Sequence, residues 1–329
     1  MAKIDVAGAG IVGLWQAFLL QQRGHSVTLW DEAGIPGGRS ASRLAGAMLA
    51  PYCGGGRDAA RILGIESLPL WQEHYPSTAM AGTLVVASAR DRSEFERLAG
   101  VATNYRRLDA QAIARLEPAL EGRFSEGLLF ADEGHIEPLP AMEFLAQQAR
   151  ELGSEFCPRA YEGEGDGLII DCRGLAARGE LKTLRGVRGE RIVLESPDVR
   201  LNRPVRLLHP RIPFTIVPLS QNRFWIGASA VECAEGGPAT LRSTAELLSC
   251  AYTLIPELGE ARIVDLAAGV RPAFPDGAPK IVVRGRRIFV NGLYRNGFLA
   301  APILAQLVAD YIEKGSLREG VVFEDHGEW

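Results

Sequence analysis

The sequence predicts an α/β fold in two domains, one opening on a strand, glycine-rich turn, helix and strand, the other an antiparallel sheet of α+β character. Three observations carry that expectation. At 329 residues the chain exceeds the size at which one hydrophobic core stops growing, and its 47% hydrophobic residues suffice for two. Residues 3–31 switch from strand to helix to strand periodicity. Residues 205–228 instead alternate with period two, with β-branched and aromatic side chains between Pro, Asn and Gly.

Lys3 to Ala7 alternate and then turn apolar, as a short buried strand does, and Gly8-Ala9-Gly10-Ile11-Val12-Gly13 follows at once. Residues 11–23 form a helix with apolar side chains around most of its surface, and Gly24 stands where a helix C-cap belongs. A strand from Ser26 to Trp30 ends at Asp31. Each part suits a dinucleotide. Gly8 permits the tight turn, Gly10 lets backbone approach a pyrophosphate, and Gly13 lets helix and strand pack closely. The helix start at Ile11 and Val12 offers unpaired N–H groups and a positive dipole end to the phosphates. Asp31 stands 18 positions after Gly13, near the usual 20 or so, where a carboxylate accepts from ribose hydroxyls and disfavours a 2′-phosphate. This half is therefore Rossmann-like.

After the second strand, residues 32–43 begin with Glu32 and supply a glycine pair, Gly37-Gly38, then Arg39, Ser40, Ser42 and Arg43. Such hydroxyls and guanidinium groups suit a second, extended stretch of pyrophosphate and ribitol, which points to FAD. This unit and its Gly-Gly stretch resemble the start of the D-amino-acid oxidase superfamily of flavoproteins. Gly46-Ala47-Met48-Leu49 resembles that family's segment beneath the flavin.

No second strand-GxGxxG-helix unit follows, and the acidic Gly163 to Gly167 stretch lacks a helix after it, so a separate NADPH site is not expected. No CxxC occurs. By elimination, electrons enter from an organic substrate and leave to oxygen or a protein acceptor. The five cysteines are widely spaced and read as reduced thiols, with no metal cluster. A net charge of −4 with interspersed signs gives no footprint for nucleic acid or an anionic membrane, leaving a small molecule as partner. Neither a basic, apolar leader nor a run of about 18 apolar residues is present, so a cytoplasmic protein is expected.

Further along, residues 82–88 read as a strand, 92–99 and 139–152 as helices, and 168–172 as a strand leading into Arg173-Gly174-Leu175-Ala176. Leu116-Glu117-Pro118 and the Ala131 to Pro138 stretch resemble the same family, the latter its glycine oxidases, where the chain re-enters the cofactor domain. His135 lies there, and the family has no general base at that position. Strands are expected at 205–208, 215–219 and 224–228, a helix at 241–252, a last strand at 287–291, and a helix at 301–314 with Pro302 in its first turn. The resemblance implies discontinuous domains: residues 1–80, 131–180 and 266–329 for FAD, residues 81–130 and 181–265 for the substrate.

The string Gly269-Val270-Arg271-Pro272 through Asp276-Gly277-Ala278-Pro279 closely resembles the family's Gly-x-Arg-Pro segment. A guanidinium fork can hold an α-carboxylate by two parallel hydrogen bonds while Cα–H meets the flavin. The resemblance assigns that task to Arg271, with Arg295 beside it. It also implies that Gly174, Gly292, Asn296, Gly297, Phe298 and Leu299 approach the flavin, whose pyrimidine end would face the final helix dipole.

The implied activity is oxidative deamination of a small amino acid, glycine or similar, to an imine or oxo acid with hydrogen peroxide, serving thiazole synthesis for thiamine. FAD would be noncovalent, since no cysteine matches a flavin linkage. Where amino-acid oxidases often carry a Tyr, this chain has Thr215, so glycine, sarcosine and small D-amino acids stay unranked. Two alternatives remain open: a sarcosine, secondary-amine or D-amino-acid oxidase or dehydrogenase, and a non-catalytic flavin-bearing subunit. A homo-oligomer is compatible with the resemblance.

Overall fold

The computed structural model describes residues 1–54, 59–163 and 166–325. Part of the acidic Gly163 to Gly167 stretch therefore lies outside the described residues. In chain order the strands are β1 Lys3–Ala7, β2 Ser26–Trp30, β3 Met48–Leu49, β4 Thr83–Ala87, β5 Arg106–Asp109 and β6 Glu126–Phe130. They continue as β7 Gly134–His135, β8 Glu155–Cys157, β9 Leu168–Asp171, β10 Arg185–Glu195, β11 Val205–Leu208 and β12 Phe214–Leu219. The last six are β13 Arg223–Gly227, β14 Val231–Glu232, β15 Arg262–Ala273, β16 Lys280–Arg284, β17 Arg287–Asn291 and β18 Val322–Glu324. Seven helices accompany them: α1 Ile11–Gln22, α2 Ala59–His74, α3 Arg92–Val101, α4 Ala110–Leu116, α5 Pro138–Glu151, α6 Leu241–Leu254 and α7 Gly297–Lys314.

One sheet has seven strands in the order β18-β16-β17-β9-β1-β2-β8. β1 runs parallel to both β2 and β9, so the carboxyl ends of its central strands share one edge, where open α/β sheets bind ligands. Helix α1 packs on β1, β2 and β9, with α5 and α7 against α1 and α2 against α7. Their apolar residues form one core, with Ile4, Leu14, Trp15 and Leu29 at most 1% exposed. Trp15 meets Trp71 of α2 edge to face at 4.9 Å.

A second sheet has nine strands, β14-β10-β13-β12-β11-β4-β6-β5, with β15 paired along β10. Its buried side chains, among them Ile192, Phe214, Ile216 and Ile226, pack against α6 in a separate core. β15 runs through position 266, so the sequence-based boundary there falls inside one strand.

Several elements depart from expectation, α2, α7 and β18 among them. Helix α2 spans a stretch in which no helix was expected, and holds Pro69 inside it. The strand at 287–291 is not the last, because β18 follows α7 and pairs parallel to β16. Helix α7 begins at Gly297 instead of Ala301, so Pro302 lies within it and not in its first turn. Proline has no N–H for the carbonyl four residues back. That carbonyl, of Phe298, accepts instead from Trp71 Nε1 at 2.7 Å. No described helix is long and apolar enough to cross a membrane.

Candidate active site

The carboxyl edge of the seven-stranded sheet faces the nine-stranded sheet across a cavity of about 800 Å³. That volume lies within the range of cofactor and ligand sites.

At one end the chain turns sharply after β1. Gly8 adopts φ +98°, and a Cβ there would stand 2.8 Å from the Cys172 carbonyl oxygen. Gly13 does not line the cavity; a Cβ there would stand 1.8 Å from the Gly8 carbonyl oxygen, so its place is the contact that seats α1 on the turn. Gly10, Ile11 and Val12 do line it. Gly10 precedes α1 without a side-chain cap. The helix start is not wholly unpaired as expected, because Ile11 N–H donates to Ser42 Oγ at 3.1 Å.

Asp31 organises this turn. Its Oδ2 accepts from Ala9 N–H at 2.8 Å and its Oδ1 from Ala33 N–H at 2.9 Å. Each carboxylate oxygen keeps a second acceptor site. Glu32 and Arg39 are exposed at the rim, while Ser40 and Ser42 come within 4 Å of the position a Gly10 Cβ would take. The absent side chain at Gly10 thus keeps open a corner bordered by two hydroxyls and a helix N-terminus, with Arg39 also lining the cavity. This donor set fits the phosphates of FAD.

Along the middle, Gly46 is buried against Trp225: a Cβ at Gly46 would stand 2.9 Å from the indole, whose Nε1 donates to the Leu44 carbonyl at 2.9 Å. Ala47 follows with φ 43°, and Met48 pairs with His135 in the β3/β7 ladder. Gly174, at φ +60°, lines the opposite wall and accepts through its carbonyl from Asn291 Nδ2 at 2.9 Å. Gly292 does not line the cavity. Its φ of +76° and its contact with Phe274, 2.1 Å from a would-be Cβ, let the chain turn from β17 toward α7. Asn296, Gly297, Phe298 and Leu299 then bring the uncapped α7 N-terminus to the wall.

At the far end Arg271 reaches in from β15. Its Nη1 donates to the Ser229 carbonyl at 3.2 Å. Arg295 is exposed at the rim, its guanidinium 5.1 Å from the Tyr294 ring centroid. Among the described residues no carboxylate pairs with either. Burial first, and then the Arg295 charge, pull the Arg271 pKa down to about 10.

Arg191, Arg206 and Trp225 also line the cavity and were not legible in the sequence. The only signal was their alternation within strands, which does not say what they face until neighbouring strands are in register. Thr215 lies among them. His135 is buried behind Met48 and does not line the cavity; burial draws its pKa down to about 4, leaving it neutral near pH 7. Cys53 and Cys172 line the wall, and burial raises both thiols, holding them protonated. All five cysteines are free, and no described group of His, Cys, Asp and Glu could hold a metal.

This fold and cavity define a flavin-dependent oxidoreductase. The family model described as FAD dependent oxidoreductase (DAO) matches residues 3–311, and the chain belongs to that family. It is 44% identical over 315 residues, 93% of this chain and 95% of the relative, to a thiamine biosynthesis oxidoreductase ThiO of Rhizobium etli. It is 24% identical to a glycine oxidase of Bacillus licheniformis, over 93% of this chain and 92% of that one. The solved glycine oxidase of Geobacillus kaustophilus superposes with a TM-score of 0.82 at 20% identity, covering 96% of each chain, which shows a shared fold.

Proposed function

We propose that the protein oxidises a small amino acid, glycine or a close analogue, at Cα to the imine, with oxygen as acceptor and hydrogen peroxide as product, for thiazole synthesis in thiamine biosynthesis. The observation that carries this is Arg271, a guanidinium drawn into the cavity with no carboxylate partner among the described residues. Burying such a charge is costly unless an anion completes it. A substrate α-carboxylate supplies that anion with two parallel hydrogen bonds, and Arg295 adds charge at the rim.

FAD, when bound, supplies the two-electron acceptor for a hydride leaving Cα. Gly8, Gly10, Ile11, Val12, Asp31, Glu32, Arg39, Ser40 and Ser42 would hold its nucleotide half. Gly46, Ala47, Met48, Gly174 and residues 296–299 would border its ring, with Gly13 and Gly292 shaping the turns behind them. The segments 1–80, 131–180 and 266–329 would form the cofactor-binding part, and 81–130 and 181–265 the substrate-binding part.

Arg271 fixes the carboxylate so that Cα faces one direction only, which removes most of the orientational entropy of the encounter. The substrate amine arrives unprotonated, and its own lone pair drives loss of the hydride. No protein base is required, and no described histidine lines the cavity. The N-terminus of α7 presents the positive end of its dipole to negative charge that develops beside it.

Anaerobic mixing of the FAD-loaded protein with glycine, sarcosine and D-alanine tests this reading. Bleaching of the flavin absorbance, lost in Arg271→Ala, is expected. Bound FAD that no small amino acid reduces would overturn it.

A further inference from the structure

Register across the nine-stranded sheet sets four residues in one row. Arg206 of β11 stands opposite Thr215 of β12, Thr215 opposite Gly227 of β13, and Gly227 opposite Arg191 of β10. Directly opposed residues share a face of the sheet. All four line the cavity. The two middle members are short, so the row forms a trough with an arginine at each end. Strands lie about 4.8 Å apart, which separates the two arginine backbones by roughly 14 Å.

The two ends are not equivalent. Arg191 donates to Asp265 at 2.5 Å, and its side chain is 9% exposed. Arg206 donates to the Cys53 carbonyl and, among the described residues, meets no carboxylate. A guanidinium carries five N–H donors, so Arg206 keeps donors beyond that single bond. The Arg271 guanidinium overlies Gly189, two residues from Arg191 on the same face of β10, or about 7 Å along the strand. The acidic side chains lining the cavity, Asp31 and Glu32, follow β2 at its nucleotide end. One α-carboxylate suffices for Arg271 and Arg295. Among the described residues, Arg206 remains without an anion.

We propose that Arg206 is a specificity-determining residue that receives a second anionic group of the substrate. The substrate class then extends beyond glycine to amino acids carrying a second carboxylate, on the side chain or on the amine substituent, and these bind more tightly. The proposal rests on the amino-acid oxidation argued above. The trough supplies its geometry: Thr215 and Gly227 leave room for the substrate body between the carboxylate clamp and Arg206.

The test uses the FAD-loaded protein and unreactive acids. Malonate, succinate and glutarate are titrated against acetate and propionate, with binding read from the flavin absorption spectrum. At least one dicarboxylate is expected to bind about tenfold or more tightly than the monocarboxylates, the scale of one charge-assisted pair. In Arg206→Gln that advantage falls to about threefold or less. Arg206→Met repeats the measurement with an uncharged stem should the Gln variant not fold. Turnover is compared in parallel: the ratio of kcat/KM for D-aspartate and iminodiacetate over glycine drops about tenfold in the variant.

Equal binding of mono- and dicarboxylates by the unaltered protein, or an advantage that survives loss of Arg206, overturns the proposal. Reduction of the flavin by glycine alongside either result would leave amino-acid oxidation standing without a second anion site. An Arg206-dependent dicarboxylate advantage with no amine able to bleach the flavin would keep the anion site and overturn the oxidation.

Discussion

Gly189 lies directly beneath the Arg271 guanidinium: a Cβ built at Gly189 would stand 2.1 Å from Nη2 and 2.2 Å from Cζ. The position of the Arg271 guanidinium therefore rests on a missing side chain in the neighbouring strand.

Gly189→Ala should displace Arg271 without touching the nucleotide end. We expect KM for glycine to rise about tenfold or more, with FAD affinity held within about twofold, since a lost carboxylate bond is worth about 1.4 kcal/mol or more. Steady-state kinetics and FAD titration measure the two separately. Unchanged KM would show that Arg271 does not hold the substrate where it stands.

Burial and the Arg295 charge lower the Arg271 pKa to about 10. Only the protonated form binds a carboxylate, so acetate affinity should be level from about pH 6 to 10, where acetate stays ionised, and weaken about tenfold for each pH step above it. Acetate avoids the titration of a substrate amine. Removing the second charge in Arg295→Gln should move the break to higher pH. Acetate binding that stays level through pH 11 would contradict the assignment.

Gly13 seats α1 on the turn after β1, with no room for a methyl group 1.8 Å from the Gly8 carbonyl oxygen. Gly13→Ala should cost about 2 kcal/mol or more of stability, the scale of overpacking, and weaken FAD binding by shifting the helix start. Chemical denaturation and FAD titration check both effects. Normal FAD affinity in the variant would remove Gly13 from the cofactor assembly.

His135 is 9% exposed, its Nδ1 has no hydrogen-bond partner among the described residues, and burial draws its pKa from 6.5 to about 4. Between these values the unfolded chain binds the proton and the folded one does not, so stability falls as pH drops from about 6.5 to 4. The full contribution is roughly 3 kcal/mol and is constant below pH 4. Urea midpoints for the native chain and His135→Gln across pH 4–7 should diverge accordingly. Parallel pH profiles for the two would refute the coupling.

The sequence by itself determined what is encoded over short distances. The strand, GxGxxG turn, helix and acid of residues 3–31 declare themselves because strand and helix periods and glycine positions act within a few residues. The family resemblance of the Gly-x-Arg-Pro string singled out Arg271 because that string is contiguous, and the structure places Arg271 in the cavity lining. The extra turn of α7 was not legible, because it depends on Trp71, more than two hundred positions away, accepting the role of donor to the Phe298 carbonyl. Nor could the sequence show that Asp31 braces its own loop, that Gly189 underlies Arg271, or that Arg206 and Arg191 end one row. Those facts depend on the pairing of distant strands. Alternation along a strand fixes which side chains share a face, but only register across the sheet decides which of them stand together and what cavity they meet.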